Sequence, residues 1–188
     1  MSPIIQKGKL RIIGGQWKSR TIQFVGPLSL RPTPDSVRET LFNWLMPVIN
    51  KSNCLDLFSG SGALGFEAVS RGASRADLVE NNKSACQQLI RSRDELCAQQ
   101  VYIHCENVLD YLSSTTNTFD IVFIDPPFDC QIASQVVKIV QQSGILKSES
   151  LIYIEQSKEK EMPRTPSQWQ LHRRKTNGRI LSLLYKSL

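Results

Sequence analysis

The stretch Leu55–Gly65, "LDLFSGSGALG", decides the fold class. A short apolar run containing Asp56 leads into a loop with Gly60 and Gly62, and helix-forming residues follow. Glycines in a strand-to-helix loop let a ligand approach the backbone amides, because no Cβ stands in the way. A tight turn with close helix–strand packing needs the same glycines, so the motif alone leaves both interpretations open.

Around this loop, short apolar runs alternate with helical stretches. The apolar runs are 54–58, 76–80, 101–105, 119–125 and 151–155, and the helical stretches are 62–72, 83–99 and 132–142. Two further strands are predicted at 169–175 and 179–185. This alternation predicts right-handed crossovers and a parallel, doubly wound α/β sheet. Ligands bind beyond the carboxyl ends of such strands, so functional residues are expected directly after the apolar runs.

The residues before the sheet predict a separate arm. Two strand-like runs, 9–15 and 21–25, are joined by a turn, which predicts a basic β-hairpin arm over residues 1–32. A helix is predicted next, capped either by Thr33 or by the box from Ser36 to Glu39. The α/β domain is then expected to occupy residues 33–188.

Bulk composition indicates an ordinary globular protein. Hydrophobic residues make up 40% of the chain and charged residues 21%, and no apolar run approaches the roughly 20 residues of a membrane span. The N-terminus lacks a secretory signal pattern. The five cysteines are scattered without a C-x-x-C pair, which argues against a disulfide framework and a zinc cluster. We expect a cytoplasmic protein without a metal.

Basic residues are concentrated in two parts of this chain, whose net charge is +6. The first group precedes the glycine loop: Lys7, Lys9, Arg11, Lys18, Arg20, Arg31 and Arg38. The second group is Arg173, Arg174, Lys175 and Arg179. The distribution indicates a polyanionic partner, while a solvated surface accounts for the charge equally well.

Acidic and amide residues at the strand ends suggest a cofactor. Glu80 ends the second run at the offset from Asp56 where an acid meets ribose hydroxyls in nucleotide-binding folds. The chain has no G-K-[ST] motif, which argues against nucleotide triphosphate hydrolysis. An acid in the first turn suits an amine and a sulfonium better than a pyrophosphate, which favours S-adenosylmethionine. Asn107 is expected to contact the adenine edge, to cap a helix, or to do both.

The stretch Phe123–Phe128, "FIDPPF", suggests the chemistry. The Asp125 carboxylate and the Pro126 carbonyl would each accept an N–H of an exocyclic amine on a nucleobase, which aligns the nitrogen lone pair for attack. Proline fixes φ and has no N–H, so the acceptors are rigid. Phe128 offers a stacking face. A proline turn with Phe128 in the core is the alternative, and the position after a buried strand argues against it.

These motifs resemble a known family. Residues 55–73 and 119–128 look like class I methyltransferases that modify exocyclic amines. Residues 11–20, 30–45 and 171–185 extend the resemblance over nearly the whole chain. Together these segments are similar to the RsmD-type enzymes. Those enzymes methylate guanine N2 in bacterial small-subunit ribosomal RNA.

The resemblance implies a Rossmann-like class I fold, with a mostly parallel seven-stranded sheet, an antiparallel C-terminal strand and the hairpin arm. It implies methyl transfer from S-adenosylmethionine to N2 of a specific guanine in 16S rRNA. The substrate is expected to be ribosomal RNA, either naked or within a small-subunit assembly particle. Nothing in the sequence demands more than a monomer or a membrane, and no metal is needed because the sulfonium supplies the electrophile.

The resemblance also assigns residues. The catalytic set would be Asp125, Pro126, Pro127 and Phe128. The cofactor set would be Asp56, Phe58, Gly60, Gly62, Glu80, Asn81, Asn107 and Val108. The RNA-binding set would be Arg11, Lys18, Arg20, Arg31 and Arg38. Ser19, Ser36 and Asn82 depart from the common family pattern, which affects the detailed RNA contacts rather than the chemistry.

Other functions remain to be weighed. A DNA adenine-N6 methyltransferase would use the same D-P-P-F corner, but the arm and tail are too short for a module that recognises base edges. A catalytically silent RNA-binding protein would not need Asp125 and the cofactor glycines. A metal-dependent hydrolase is disfavoured because His104 and His172 lack ligand spacing.

Overall fold

The computed structural model describes residues 5–27, 32–126 and 132–188. The strands are β1 (Ile5–Arg11), β2 (Thr21–Pro27), β3 (Asn53–Asp56), β4 (Arg75–Val79), β5 (Val101–His104), β6 (Phe119–Ile124), β7 (Leu146–Ser157), β8 (Trp169–Asn177) and β9 (Ile180–Ser187). The helices are α1 (Asp35–Leu45), α2 (Ala63–Ser70), α3 (Lys83–Leu96), α4 (Val108–Ser114) and α5 (Ile132–Gln142). No helix in these ranges is long and apolar enough to cross a membrane.

Seven strands form one sheet in the order β5-β4-β3-β6-β7-β9-β8. The first five of these run parallel, β9 pairs antiparallel with β7, and β8 pairs antiparallel with β9. This topology confirms the predicted doubly wound sheet with an antiparallel C-terminal strand. Because β9 is antiparallel to β7 and β8 is antiparallel to β9, β8 runs parallel to β6 and β7.

Helices cover both faces of the sheet. On one face, which we call the α1 face, Leu41 of α1, Phe66 of α2 and Leu89 of α3 belong to one apolar cluster. On the other face, Val108 of α4 and Val136 of α5 belong to a second cluster. Side chains alternate between the two faces along each central strand, and burial on both sides explains the nearly continuous apolar runs in the sequence.

The arm is a two-stranded antiparallel sheet of its own, in which Arg11 pairs with Thr21 across the turn. The predicted hairpin is confirmed. Ile22 and Phe24 of β2 are buried in the cluster of the α1 face, where β2 packs against α3. The hairpin is therefore anchored to the domain by its apolar side, while its basic residues stay exposed.

A buried carboxylate joins the arm to two helices. The backbone N–H of Ile13 donates to Glu67 Oε2 at 2.9 Å, and Arg71 Nε donates to Oε1 at 2.7 Å. Arg38 Nη1 lies 3.4 Å from the Glu67 Oε2 atom. Neither Arg38 nor Glu67 exposes any side-chain surface. An uncompensated charge would be costly at this depth, so the network keeps these elements in one arrangement.

Arg38 has a structural role. Its guanidinium also donates to the carbonyl oxygens of Thr33 and Arg11 and to the carboxylate of Asp35. The prediction that Arg38 contacts RNA is wrong, because the side chain is enclosed and its donors are bound within the protein.

The start of α1 differs from the predicted caps. The helix begins at Asp35 after Pro34, without a side-chain cap hydrogen bond. The hydroxyl of Thr33 instead donates to Asp125 Oδ2 at 3.1 Å, 92 residues further along the chain. The Thr33 hydroxyl thus binds a residue that is distant in sequence instead of capping α1.

One pair of cysteines differs from the sequence prediction. Cys86 of α3 and Cys105 after β5 form a disulfide, with their Cα atoms 5.9 Å apart. The scattered spacing did not predict this bond. Cys54 is buried as expected of a small core residue, and Cys97 is exposed.

We expect Glu67→Ala to lower the free energy of unfolding by about 3–5 kcal/mol, because the buried Arg38 charge keeps only the exposed Asp35 carboxylate and the N–H of Ile13 loses its acceptor. Chemical denaturation measures this loss. Glu95→Ala is the matched control, since Glu95 is exposed and its removal should change stability by at most about 0.5 kcal/mol. Equal stability of the two variants would contradict a central role for Glu67.

Candidate active site

Three acids meet at one edge of the sheet. Asp56 ends β3, while Glu80 and Asp125 directly follow β4 and β6. Because β3 lies between β4 and β6 and all three strands are parallel, their carboxyl ends are neighbours. The structure therefore brings together the strand-end acids that the sequence predicted as functional.

The glycine loop is tied to Glu80. The N–H of Gly60 donates to Glu80 Oε2 at 2.9 Å, and the N–H of Asn82 donates to Oε1 at 2.8 Å. Gly62 has a φ of 78°, and a Cβ there would lie 2.6 Å from the Phe66 ring. Both the left-handed backbone and the close approach require glycine at this position.

Asp56 is almost fully buried beneath the loop. Burial, together with the nearby charge of Asp125, raises its pKa to about 7. Hydrogen bonds from the backbone of Phe58 and Gly65 oppose this shift. The carboxyl group is thus close enough to the Asp125 charge to respond to it.

The remaining residues of the predicted cofactor set lie at the same edge. Asn81 is exposed beside Glu80, and Phe58 is half-buried after β3. Asn107 follows β5 and caps α4, because its Oδ1 accepts the N–H of Leu109 at 2.8 Å. Val108 is buried at the first position of α4. The structure thus shows the helix cap, and the cofactor contact of Asn107 stays a prediction.

Asp125 lies where α1 and the sheet meet. Burial of its carboxyl group raises its pKa to about 7, while the Thr33 hydroxyl lowers the pKa by donating to the carboxylate. Pro126 is buried next to it. Pro127, Phe128 and Arg31 lie outside the described residues.

A fourth acid adjoins Asp125. Ile124 of β6 pairs with Ile154 of β7, so Asp125 and Glu155 follow as neighbours. Glu155 is buried, its Oε2 accepts the Tyr153 hydroxyl at 2.9 Å, and burial raises its pKa to about 8. The negative charge of Asp125 adds to this upward pKa shift. The two neighbouring carboxyl groups therefore disfavour each other's ionisation.

Sequence reasoning missed Thr33 and Glu155 as site residues. Glu155 did carry a signal, since it ends an apolar run as Glu80 does. Thr33 carried none, because its contact depends on the docking of α1. The contact of Thr33 with Asp125 and the position of Glu155 beside Asp125 are both set by tertiary structure rather than by local sequence.

The predicted RNA-binding residues of the arm are exposed. Arg11 Nη2 lies 3.4 Å from Asp35 Oδ2, and Arg20 donates to the carbonyl of Glu95 at 2.8 Å. Lys18 lies at the exposed turn between the arm strands. All three side chains are accessible to a partner.

Comparison with known proteins identifies relatives. The family described as Conserved hypothetical protein 95 matches residues 10–186. Ribosomal RNA small subunit methyltransferase D of Escherichia coli K12 is 43% identical over 179 residues, covering 95% of this chain and 90% of that protein. The Haemophilus influenzae protein of the same name is 42% identical over 185 residues, covering 96% and 95% respectively.

Solved structures agree with this. An Escherichia coli structure described as the methyltransferase yhhF has a TM-score of 0.87 and 43% identity, covering 96% of this chain and 98% of that one. The match in sequence and in fold confirms the resemblance deduced from the motifs. The chain therefore belongs to the RsmD-type family, whose curated members are named small-subunit ribosomal RNA methyltransferases.

Proposed function

We propose that this protein transfers a methyl group from S-adenosylmethionine to N2 of a guanine in small-subunit ribosomal RNA. The observation that carries the proposal is the position of Asp125. It follows β6 directly, next to the acid and glycine loop after β3 and the Glu80 loop after β4. The nucleobase specificity is that of the family, because the corner itself would accept any exocyclic amine.

The loops after β3 and β4 fit the methyl donor. Glu80 uses two of its roughly four acceptor positions for the N–H groups of Gly60 and Asn82, which leaves acceptors for two ribose hydroxyls. Gly62 keeps the loop free of a Cβ, and the Asp56 carboxyl would attract the amine of the donor. Phe58, Asn81, Asn107 and Val108 would complete the pocket. When bound, the donor supplies an electrophilic methyl group on a sulfonium.

Asp125 and Pro126 would orient the target amine. The carboxylate of Asp125 and the carbonyl of Pro126 each accept one N–H, so the nitrogen lone pair points away from both toward the methyl group. Pro126 and Pro127 have no N–H that could compete for the acceptors. We assign base stacking to Phe128, whose aromatic face would receive a base that has left its helix.

The charge state of Asp125 is central to this role. The ionised carboxylate is an acceptor only, with no O–H that competes with the target amine. Burial raises the pKa of Asp125 to about 7 and so opposes this form. The Thr33 hydroxyl favours the ionised form because it donates to it. Thr33 would therefore be a positioning residue that acts through Asp125.

We further propose that the substrate is a small-subunit assembly particle in the cytoplasm and that the enzyme acts as a monomer. The arm, through Arg11, Lys18 and Arg20, would hold RNA phosphates beside the site, with Arg31 proposed from its sequence position. The arm would form one part, residues 1–32, and the methyltransferase domain the other, residues 33–188.

Substrate choice is tested with tritium-labelled S-adenosylmethionine. We expect label in small ribosomal subunits or their assembly intermediates from cells lacking this gene, and none in duplex DNA. Nuclease digestion and mass analysis should place the methyl group on guanine N2. Label in duplex DNA alone, on adenine, would contradict the proposal. Cofactor binding without transfer to any nucleic acid would favour the catalytically silent alternative.

Asp125→Ala should retain cofactor binding and lose methyl transfer by about 100-fold or more, because the amine loses the carboxylate that orients it. Calorimetric titration with the cofactor and single-turnover transfer measure the two properties separately. Asp110→Ala is a matched control, since Asp110 is an exposed acid on α4. Unchanged turnover in Asp125→Ala would exclude the orienting role.

Thr33→Val should shift the acidic limb of the rate–pH profile to higher pH. Loss of the hydroxyl donor raises the pKa of Asp125 further above about 7, so a higher pH is needed to ionise it. Single-turnover rates across the pH range measure the midpoint. A uniform loss of rate without a shift would mean that Thr33 only supports packing.

A further inference from the structure

The last strand in the order of the sheet, β8, is an exposed basic edge. Residues 170–176 are all exposed, and four consecutive positive or titratable side chains lie within them, from His172 to Lys175. Within the described parts of the chain, no carboxylate forms an ion pair with Arg173, Arg174 or Lys175. Their charge is therefore available to a partner.

Strand pairing tells which face each side chain occupies. Arg173 is opposite Leu184, which belongs to the apolar cluster of the α1 face. Arg174 is opposite Leu183, which belongs to the cluster on the other face. Directly opposed residues of an antiparallel pair point to the same side. Arg173 is therefore on the α1 face, and Arg174 is on the opposite face.

The register also aligns β8 with the active site. Asp125 is level with Glu155, as the preceding pair Ile124 and Ile154 shows. Glu155 pairs with Ser182 of β9, and Ser182 pairs with Lys175 of β8. Lys175 thus lies in the same row as Asp125, three strand spacings or about 14 Å across the sheet.

Helix α1 links this edge to the arm. Lys175 Nζ donates to Thr40 Oγ1 at 3.0 Å, and Asn177 donates to the Ser36 hydroxyl at 2.9 Å. At the start of the same helix, Arg11 of the arm contacts Asp35. The arm and β8 therefore lie on two sides of the first turns of α1, and both present basic side chains there.

We propose that Arg173 and Lys175 form a second contact for RNA phosphates, so that the substrate is held on both sides of the target base. This inference rests on the proposed function, because the partner is the RNA substrate itself. A second copy of the chain fits this edge poorly, since pairing two such strands would bring like charges together. RNA phosphates complement the charge, and each contact releases counterions.

The test compares neighbouring arginines on opposite faces of one strand. Arg173→Ala should weaken binding of protein-free 16S rRNA about tenfold and reduce the magnitude of its salt slope by roughly 0.7–0.9. Arg174→Ala, the matched control, should change affinity less than about twofold. Arg173→Lys should restore most of the affinity, because a phosphate contact needs the charge rather than the fork geometry. Filter binding at several salt concentrations measures all three variants.

Cofactor titration and thermal unfolding should be unchanged in every variant. Equal losses of RNA affinity in Arg173→Ala and Arg174→Ala would mean that only general charge matters, which would overturn the face-specific contact. No loss of affinity in either variant would also overturn it. In both cases wild-type methylation of rRNA would leave the proposed function standing. If the wild-type chain neither binds nor methylates rRNA, whether protein-free or within small-subunit assembly particles, the proposed function and the β8 contact fail together.

Discussion

The buried carboxylate of Glu67 is the constraint on which the arrangement of the α1 face depends. It accepts the backbone N–H of Ile13 from the arm and the guanidinium groups of Arg38 and Arg71. Arg38 in turn donates to the carbonyl of Thr33, the residue whose hydroxyl reaches Asp125. One buried charge therefore connects the arm to Asp125 through Arg38 and Thr33. Because a buried charge without its partners is costly, this network favours the observed docking of α1.

The candidate active site combines acids whose environments differ. Glu80 is half-exposed and has N–H donors for both oxygens, whereas Asp56, Asp125 and Glu155 have pKa values raised by burial. Crowded carboxyl groups at the ends of parallel strands cannot all ionise cheaply. The Thr33 hydroxyl favours ionisation of Asp125, and the Tyr153 hydroxyl donates to Glu155. The geometry thus gives Asp125 a hydrogen-bond donor at the same edge where the methyl donor is proposed to bind.

Most of the fold was predictable because its signals are local. The strand-end acids Asp56, Glu80 and Asp125 follow apolar runs, and parallel topology alone brings such ends together. Thr33 was predicted as a helix cap and Arg38 as an RNA contact, and the structure shows neither role. Their partners Asp125 and Glu67 are distant in sequence and are defined only by packing. A basic side chain in an amphipathic helix normally predicts exposure, and nothing near Arg38 in the sequence reveals the buried Glu67.

The hydrogen bonds beside Asp125 include a residue that is synthesised late. Ser182 of β9 lies 3.0 Å from the Tyr153 hydroxyl, which donates to Glu155 beside Asp125. Ser182 comes late in the chain, long after the cofactor loops and Asp125 itself. During synthesis, β3, β4 and β6 therefore emerge before the strand that completes the hydrogen bonds beside Asp125. The hydrogen bonds beside Asp125 are complete only once β9 has paired with β7.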